Sequence, residues 1–311
     1  MTIRRGDVAH TARNSPAVPL VVEERTPNLY AACFSAMASP CEVLVHTPSR
    51  GHALELGNLV AHEAWRVEQK YSRYREDSML AWIHRNRGKE ISVDAETASL
   101  LDFAAHCYEL SDGRFDITSG VLRRAWQFDG SDRVPDKATV ENLMPLIGFN
   151  KLRWQSPELL LPFDMELDFG GIGKEYAVDR AYDLAVAHRP DPFLINFGGD
   201  LRTNRPPPHT PWQVGIERPD SEREAALVLT LERGALATSG DSRRFLLKDS
   251  VRYSHILDPH SGWPVPNAPR SVTVAASSCT EAGLLATLAM LRGAQARRFL
   301  EAQQVQHWIL E

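Results

Sequence analysis

An α+β fold in one interlocked domain, of mixed sheets and packed helices, is what this chain predicts. Three observations lead there. Strand-like and helix-like segments mix without the regular strand–helix–strand rhythm of a doubly wound sheet. No internal repeat or low-complexity linker divides the 311 residues. Apolar residues make up 43% and charged residues 24%, the balance of a globular chain with enough length for a sizeable core.

The elements follow in order. Residues 1–28 are polar, proline-bearing and aperiodic, and read as a flexible N-terminal arm before a domain over 29–311. Over 34–46 the pattern turns strand-like, with Met37-Ala38-Ser39-Pro40 in a loop or bulge. Residues 51–71 carry Leu54, Leu56, Leu59, Val60, Trp65 and Val67 mostly three or four apart, a helix. A polar turn and a short helix from Ser78 come next, then a second amphipathic helix over 92–110, stopped by Ser111-Asp112-Gly113. Residues 113–118 read as a strand entry, 140–147 as a short helix, and 152–154 and 159–163 as strands around Ser156-Pro157.

Further on, 177–188 is a helix broken by Asp191-Pro192, and 193–197 a short apolar strand running into Gly198-Gly199-Asp200. Strands are expected at 212–217, 226–231 and 271–276, with a hairpin-like region through 253–257. A helix over 280–291 takes Thr280 as N-cap and Gly293 as its C′ residue. A last helix at 294–303 and a strand at 305–310 close the chain.

The net charge of −5 argues against a nucleic-acid partner. No uncharged apolar run is long enough to span a bilayer, and the first 25 residues lack a continuous apolar h-region. A cytoplasmic protein without a membrane partner is expected. Cys33, Cys41, Cys107 and Cys279 form no CxxC pair, so reduced thiols are the simplest reading.

The chemistry is organised around 167–179, LDFGGIGKEYAVD. Gly170, Gly171 and Gly173 permit a sharp turn and a close approach. The helix that follows aims free N–H groups and its positive end at that turn, where an anion fits. A strand-to-helix turn with no ligand uses the same glycines. The spacing is neither GxxxxGK[ST] nor GxGxxG, which removes the main support for an NTPase or a nicotinamide dehydrogenase. Two more polar turns, Asn196–Asp200 and Ala237–Asp241, are either ligand sites or capped turns. His255 stands three residues before Asp258-Pro259 and is a candidate base. Asp116 either holds a ligand hydroxyl or caps the next segment, while Trp126 and Phe128 are most simply core.

These pieces come in a specific order: MASP, SRYREDS, GRFDITSGVL, LDFGGIGKEYAVD, NFGGD, PW-x-VGIERP, ATSGD, HILDPHSGWPV and SVTVAAS-x6-LLATLAMLRG. The series resembles the ApbE family of FAD:protein FMN transferases over roughly residues 34–293. The resemblance implies an enzyme that moves FMN from FAD to a Thr or Ser hydroxyl of an acceptor flavoprotein, releases AMP and uses Mg²⁺. It implies FAD contacts at Met37, Tyr74, Arg114, Phe115, Asp116, Asp168, Lys174 and Ile256. It implies metal ligation by the Gly171 carbonyl and Thr287, and His255 as the catalytic base.

The chain departs from the pattern at two places. Where the family usually reads ADALAT, this chain reads Ala282-Gly283-Leu284-Leu285-Ala286-Thr287, so the acid four residues before Thr287 is Gly283. Glu281 stands about 200° around the helix and is a poor substitute. The usual GGIAKG reads GGIGKE, which puts Glu175 where a small residue is expected, either as a carboxylate returned from the other side of the site or as a charge that repels the diphosphate. The departures leave open a flavin-binding protein without transferase activity and an FAD diphosphatase. From the sequence alone, Gly283→Asp is expected to raise Mg²⁺ affinity.

Overall fold

The computed structural model describes residues 19–218, 221–242 and 244–311, without the side chains of 221–223. Its centre is one antiparallel sheet of eight strands. In chain order these are β1 (Val21–Thr26), β2 (Leu29–Ala36), β3 (Ser39–His46), β7 (Phe193–Phe197), β8 (Asp200–Thr203), β11 (Gly234–Gly240), β14 (Ser271–Ala276) and β15 (Gln306–Leu310), which is also their order across the sheet. Every pairing among them is antiparallel, as an α+β chain requires.

Adjacent residues on these strands face opposite ways and both faces are covered. Ala32, Val43, Val45, Phe193, Ile195 and Phe197 join the main core, under α1 (Arg50–Tyr71), α3 (Ala95–Leu110), α5 (Gly173–His188) and α6 (Cys279–Leu291). Ala31, Leu44, Leu194, Leu201 and Leu236 meet Trp212, Val214 and Leu231 from the hairpin of β9 (Trp212–Arg218) and β10 (Ser221–Leu231). Burial on both faces is why 193–197 is apolar at every position but Asn196.

The smaller elements form a lobe beside the helices. They are α2 (Met79–Arg85), the three-stranded sheet of β4 (Glu90–Ser92), β5 (Arg153–Gln155) and β6 (Glu158–Leu160), α4 (Lys137–Glu141), and the hairpin β12 (Phe245–Lys248)–β13 (Val251–Ser254). A separate small core of Val121, Leu122, Trp126, Val140, Ile147 and Leu246 holds part of it together, with Phe128 stacked on Trp126. Helix α7 (Ala296–Ala302) packs with α6 against β14.

Several expectations need correction. Residues 21–26 are the edge strand β1, paired with β2, and not part of an arm; residues 1–18 lie outside the described residues. The second long helix starts at Ala95 behind an Asp94 cap, because 90–92 pair as β4. Residues 117–124 form a 3₁₀ helix and not a strand, since Asp116 caps them. Residues 140–147 split between α4 and a 3₁₀ turn. The N-cap of α6 is Ser278, whose hydroxyl accepts from the Glu281 N–H.

Candidate functional site

Three turns meet at one end of the central sheet. The first joins β2 to β3 with only Met37 and Ala38 between the strands. Both lie in the left-handed region, at φ 51° and 54°. A two-residue hairpin of this kind favours Asn-Gly, and Met-Ala there costs backbone energy. The second, Gly198-Gly199, joins β7 to β8, and both glycines have positive φ. A Cβ at Gly198 would stand 2.8 Å from the Ser39 Cβ, so glycine lets this turn press against the first. The third is the glycine turn 169–173, where the Gly173 N–H donates to the Phe169 carbonyl. A Cβ at Gly171 would sit 3.2 Å from the buried Phe115 ring.

Helix α5 leaves that third turn without a side-chain cap. Its first turn therefore keeps N–H groups and a positive dipole end available to an anion. Lys174 ties the turns together. Its Nζ lies 2.7 Å from the buried Asp200 carboxylate at the start of β8, and 3.9 Å from the Cβ position at Gly198. Burial works against its charge, but the Asp200 and Glu175 carboxylates outweigh it and hold the lysine protonated well above its ordinary range.

Around this centre the other sequence-predicted residues take definite places. Asp168 pairs with Arg73 and accepts the Gly170 N–H at 2.9 Å, so its carboxylate shapes the glycine turn. Arg73 also donates to the Tyr74 hydroxyl, and the Tyr74 ring is 78% exposed at the rim. Arg114 pairs with Asp258 at 3.5 Å, joining the 113–117 segment to the loop that follows Ile256. Ile256 packs against both the main core and the α6–α7 core. Asp116 spends both oxygens on the protein, accepting from Thr118 N–H, Thr118 Oγ1 and Phe149 N–H. The capping alternative for Asp116 is the one the structure favours over a free acid.

His255 follows β13. Its Nδ1 lies 3.1 Å from the Arg244 carbonyl. With the proton on Nδ1, Nε2 keeps its lone pair. Burial, and then the Arg244 charge, lower its pKa to about 4, so the imidazole is neutral at physiological pH. Thr287, on α6, reaches Ser239 at the end of β11 with its hydroxyl at 3.4 Å. Residues 237–240, expected as a turn, are the end of strand β11, paired with β14, and Asp241 after them is held by Arg252 at 3.0 Å and Arg270 at 2.8 Å.

The seam between α5 and α6 holds Asp179, which sequence reasoning missed, and Glu175, whose role it left open. Asp179 caps α6 from α5. Its Oδ1 accepts the Cys279 N–H at 2.9 Å and its Oδ2 the Thr280 N–H at 2.8 Å, while Arg202 donates to Oδ1 at 2.7 Å. One turn earlier, Glu175 lies against Gly283. A Cβ on Gly283 would stand 2.5 Å from Glu175 Cγ and 2.8 Å from Oε1. Glu175 Oε2 is buried with no hydrogen-bond partner. Burial, and then Asp200, raise the pKa of this carboxyl to about 8.

That orphaned oxygen is the observation against which a divalent cation can be tested. A hard ion takes carboxylate, carbonyl and hydroxyl oxygens. A carboxylate lacking a partner, on the helix that begins two residues after Gly171 and against the helix that carries Thr287, fits such an ion. Among the described residues no three His, Cys, Asp or Glu side chains cluster as a metal site. Any ion here would rest on mixed oxygen donors. The four cysteines are free thiols, and Cys41, Cys107 and Cys279 are buried. Among the described residues no helix is long and apolar enough to cross a membrane.

An antiparallel sheet with helices on one face, and glycine turns gathered at a lysine and an uncapped helix end, define a domain built to hold an anionic ligand. The ApbE family model matches residues 37–309, and the chain belongs to that family. It is 31% identical over 237 residues to the FAD:protein FMN transferase of Vibrio cholerae, covering 73% of this chain and 70% of that one. It is 30% identical over 247 residues to the FAD:protein FMN transferase of Treponema pallidum, covering 73% and 68%. The crystal structure of the ApbE protein from Thermotoga maritima superposes with a TM-score of 0.82 at 29% identity, covering 90% of this chain and 94% of that one. By this kinship the chain is an enzyme of the transferase class.

Proposed function

We propose that the protein is an FAD:protein FMN transferase, acting on a Thr or Ser hydroxyl of an acceptor flavoprotein. The observation that carries the reading is the convergence of the Met37 turn, the Gly198 turn and the glycine turn on Lys174, at the uncapped start of α5. A diphosphate suits that arrangement of N–H groups and one ammonium. Met37 and Tyr74 stand at the rim, where flat rings are covered by thioether and aromatic surfaces. Arg114, Phe115, Asp116, Asp168 and Ile256 support this pocket, several of them through the turns they hold rather than through a free polar group.

The reaction follows from the residues present. His255, neutral, takes the proton of the acceptor hydroxyl on Nε2. The hydroxyl oxygen forms a bond to the phosphorus of the FMN half, the bond from that phosphorus to the AMP oxygen breaks, and AMP leaves. Lys174 and the α5 N–H groups face the charge that builds on the diphosphate. A divalent cation such as Mg²⁺, when bound, adds neutralisation of the same charge; the Gly171 carbonyl and the Thr287 hydroxyl would hold it.

The test is direct. Purified protein is mixed with FAD, Mg²⁺ and an acceptor domain, and a denaturing gel is scanned for flavin fluorescence. A fluorescent acceptor band that disappears with His255→Ala is the expected result. A protein that binds FAD and leaves the acceptor dark sinks the reading in favour of a flavin carrier, and AMP release without acceptor labelling points to hydrolysis.

A further inference from the structure

The seam between α5 and α6 has a register. Asp179 meets Cys279 and Glu175 meets Gly283, so each step of four back along α5 is a step of four forward along α6. Four residues are about one turn, or ~5.4 Å of rise. Beyond that rung lie Gly171, two residues before α5, and Thr287, one turn further along α6, the two residues already put forward as cation ligands. Side chains on a helix lean toward its N-terminus, so Glu175 leans toward the Gly171 end.

Charge adds a second, independent strand. Asp179 has Arg202 and two backbone N–H groups. Asp200 has Lys174. Glu175 has a buried oxygen without a partner, next to that same lysine and Asp200. Of these three acids, Glu175 is the one with no lysine or arginine at ion-pair distance among the described residues. Leaving such a group unpaired is costly, and a cation is the partner that removes the cost.

From these observations we infer that Glu175 is the carboxylate that anchors the divalent cation, and that Gly283 is glycine because the Glu175 side chain fills the space in front of it. The acid has moved from α6 to α5, while its charge stays in the same seam. The expectation that Gly283→Asp alone strengthens Mg²⁺ binding is overturned by this geometry. A side chain at 283 runs into Glu175, and a second carboxyl there competes for the same space. The inference rests on the transferase reading only for the role of the ion, and its test does not use turnover.

The experiment titrates Mn²⁺ into the full-length protein with FAD present, following the loss of the free-ion signal by electron paramagnetic resonance. Glu175→Gln keeps the shape and removes the charge; it is expected to weaken Mn²⁺ binding by about tenfold or more, the scale on which metal-site residues act. FAD binding in EDTA, read by flavin fluorescence, should not weaken, since Glu175 offers the diphosphate no donor and its removal takes an acid away from Lys174. Gly283→Asp alone should also weaken Mn²⁺. The exchanged pair Glu175→Gly with Gly283→Asp should regain affinity to within a few-fold of the parent. Unchanged Mn²⁺ binding in Glu175→Gln overturns the inference. So does an exchanged pair that melts like the parent yet binds no better than Glu175→Gln. If the parent labels the acceptor while Glu175→Gln binds Mn²⁺ normally, the inference fails and the transferase reading stands. If Mn²⁺ binding depends on Glu175 and no acceptor is labelled, the reverse holds.

Discussion

Asp179 and Glu175 are the same chemistry one turn apart on the same helix, facing the same neighbour, and they are treated in opposite ways. Asp179 is saturated. Two backbone N–H groups, the Thr280 hydroxyl and Arg202 use its oxygens and fix where α6 begins. Glu175 is held by shape alone, against a glycine, with one oxygen buried and unanswered. Glu166 and Asp200 also carry a buried oxygen without a hydrogen bond, but each has a basic side chain beside it. The difference teaches that the absence of both a donor and an ion-pair partner, more than residue type or burial, sets Glu175 apart from a structural staple.

The largest way to test that contrast is to remove the staple. Asp179→Ala leaves the first N–H groups of α6 and the Arg202 charge without their partner, and should cost about 3 kcal/mol. Thermal unfolding with and without Mg²⁺ reads it. A loss of a few tenths of a kcal/mol would erase the distinction between the two acids. Next comes crowding of the other rung. Gly283→Asp should destabilise by about 2 kcal/mol through overpacking, and the loss should shrink when Glu175 is also made Gly. Equal losses in the two backgrounds would mean that Glu175 does not occupy the seam.

A third test lies outside the seam and shows only at acid pH. His255 has its folded pKa lowered from 6.5 to about 4 by burial first and then by Arg244, with Lys174 adding and Asp241 opposing. The unfolded chain therefore takes up a proton between those values while the folded protein does not. Stability falls as pH drops from about 6.5 toward 4, and is insensitive to this group above about 7. His255→Gln should flatten that part of the pH–stability curve, measured by denaturant unfolding. A curve of unchanged shape would mean the imidazole is not held neutral by its surroundings.

How far the sequence carried these conclusions depends on range. The helices at 50–71 and 173–188 and the strand at 193–197 were legible because their periodicity or apolar runs are local. The family series of motifs located the glycine turn, Lys174, His255 and Thr287. Strand β1 was missed because it carries mostly exposed polar residues, with Val22 its one buried side chain, and is a strand only by virtue of β2. Asp200 and Asp179 were missed as site residues because their partners, Lys174 and the start of α6, are distant in sequence. Glu175 was the hardest. In one dimension it is either a replacement carboxylate or an unwelcome charge beside a glycine turn. Only the packing of α5 on α6 shows that position 283, more than a hundred residues away, had made room for it.

The Met37–Ala38 turn carries a consequence for how the molecule assembles. A hairpin with Asn-Gly at its tip can close on its own and template the strands behind it. One with two L-residues held at positive φ has no such head start. Strands β2 and β3 must be brought together from the far side, by β7 pairing along β3 and by the Gly198 N–H donating to the Pro40 carbonyl at 3.0 Å. Those contacts span more than 150 residues and close slowly. The Met37–Ala38 turn is thus expected to be among the last parts of the chain to lock. Substitutions at Met37 and Ala38 should change the unfolding rate and leave the folding rate almost untouched.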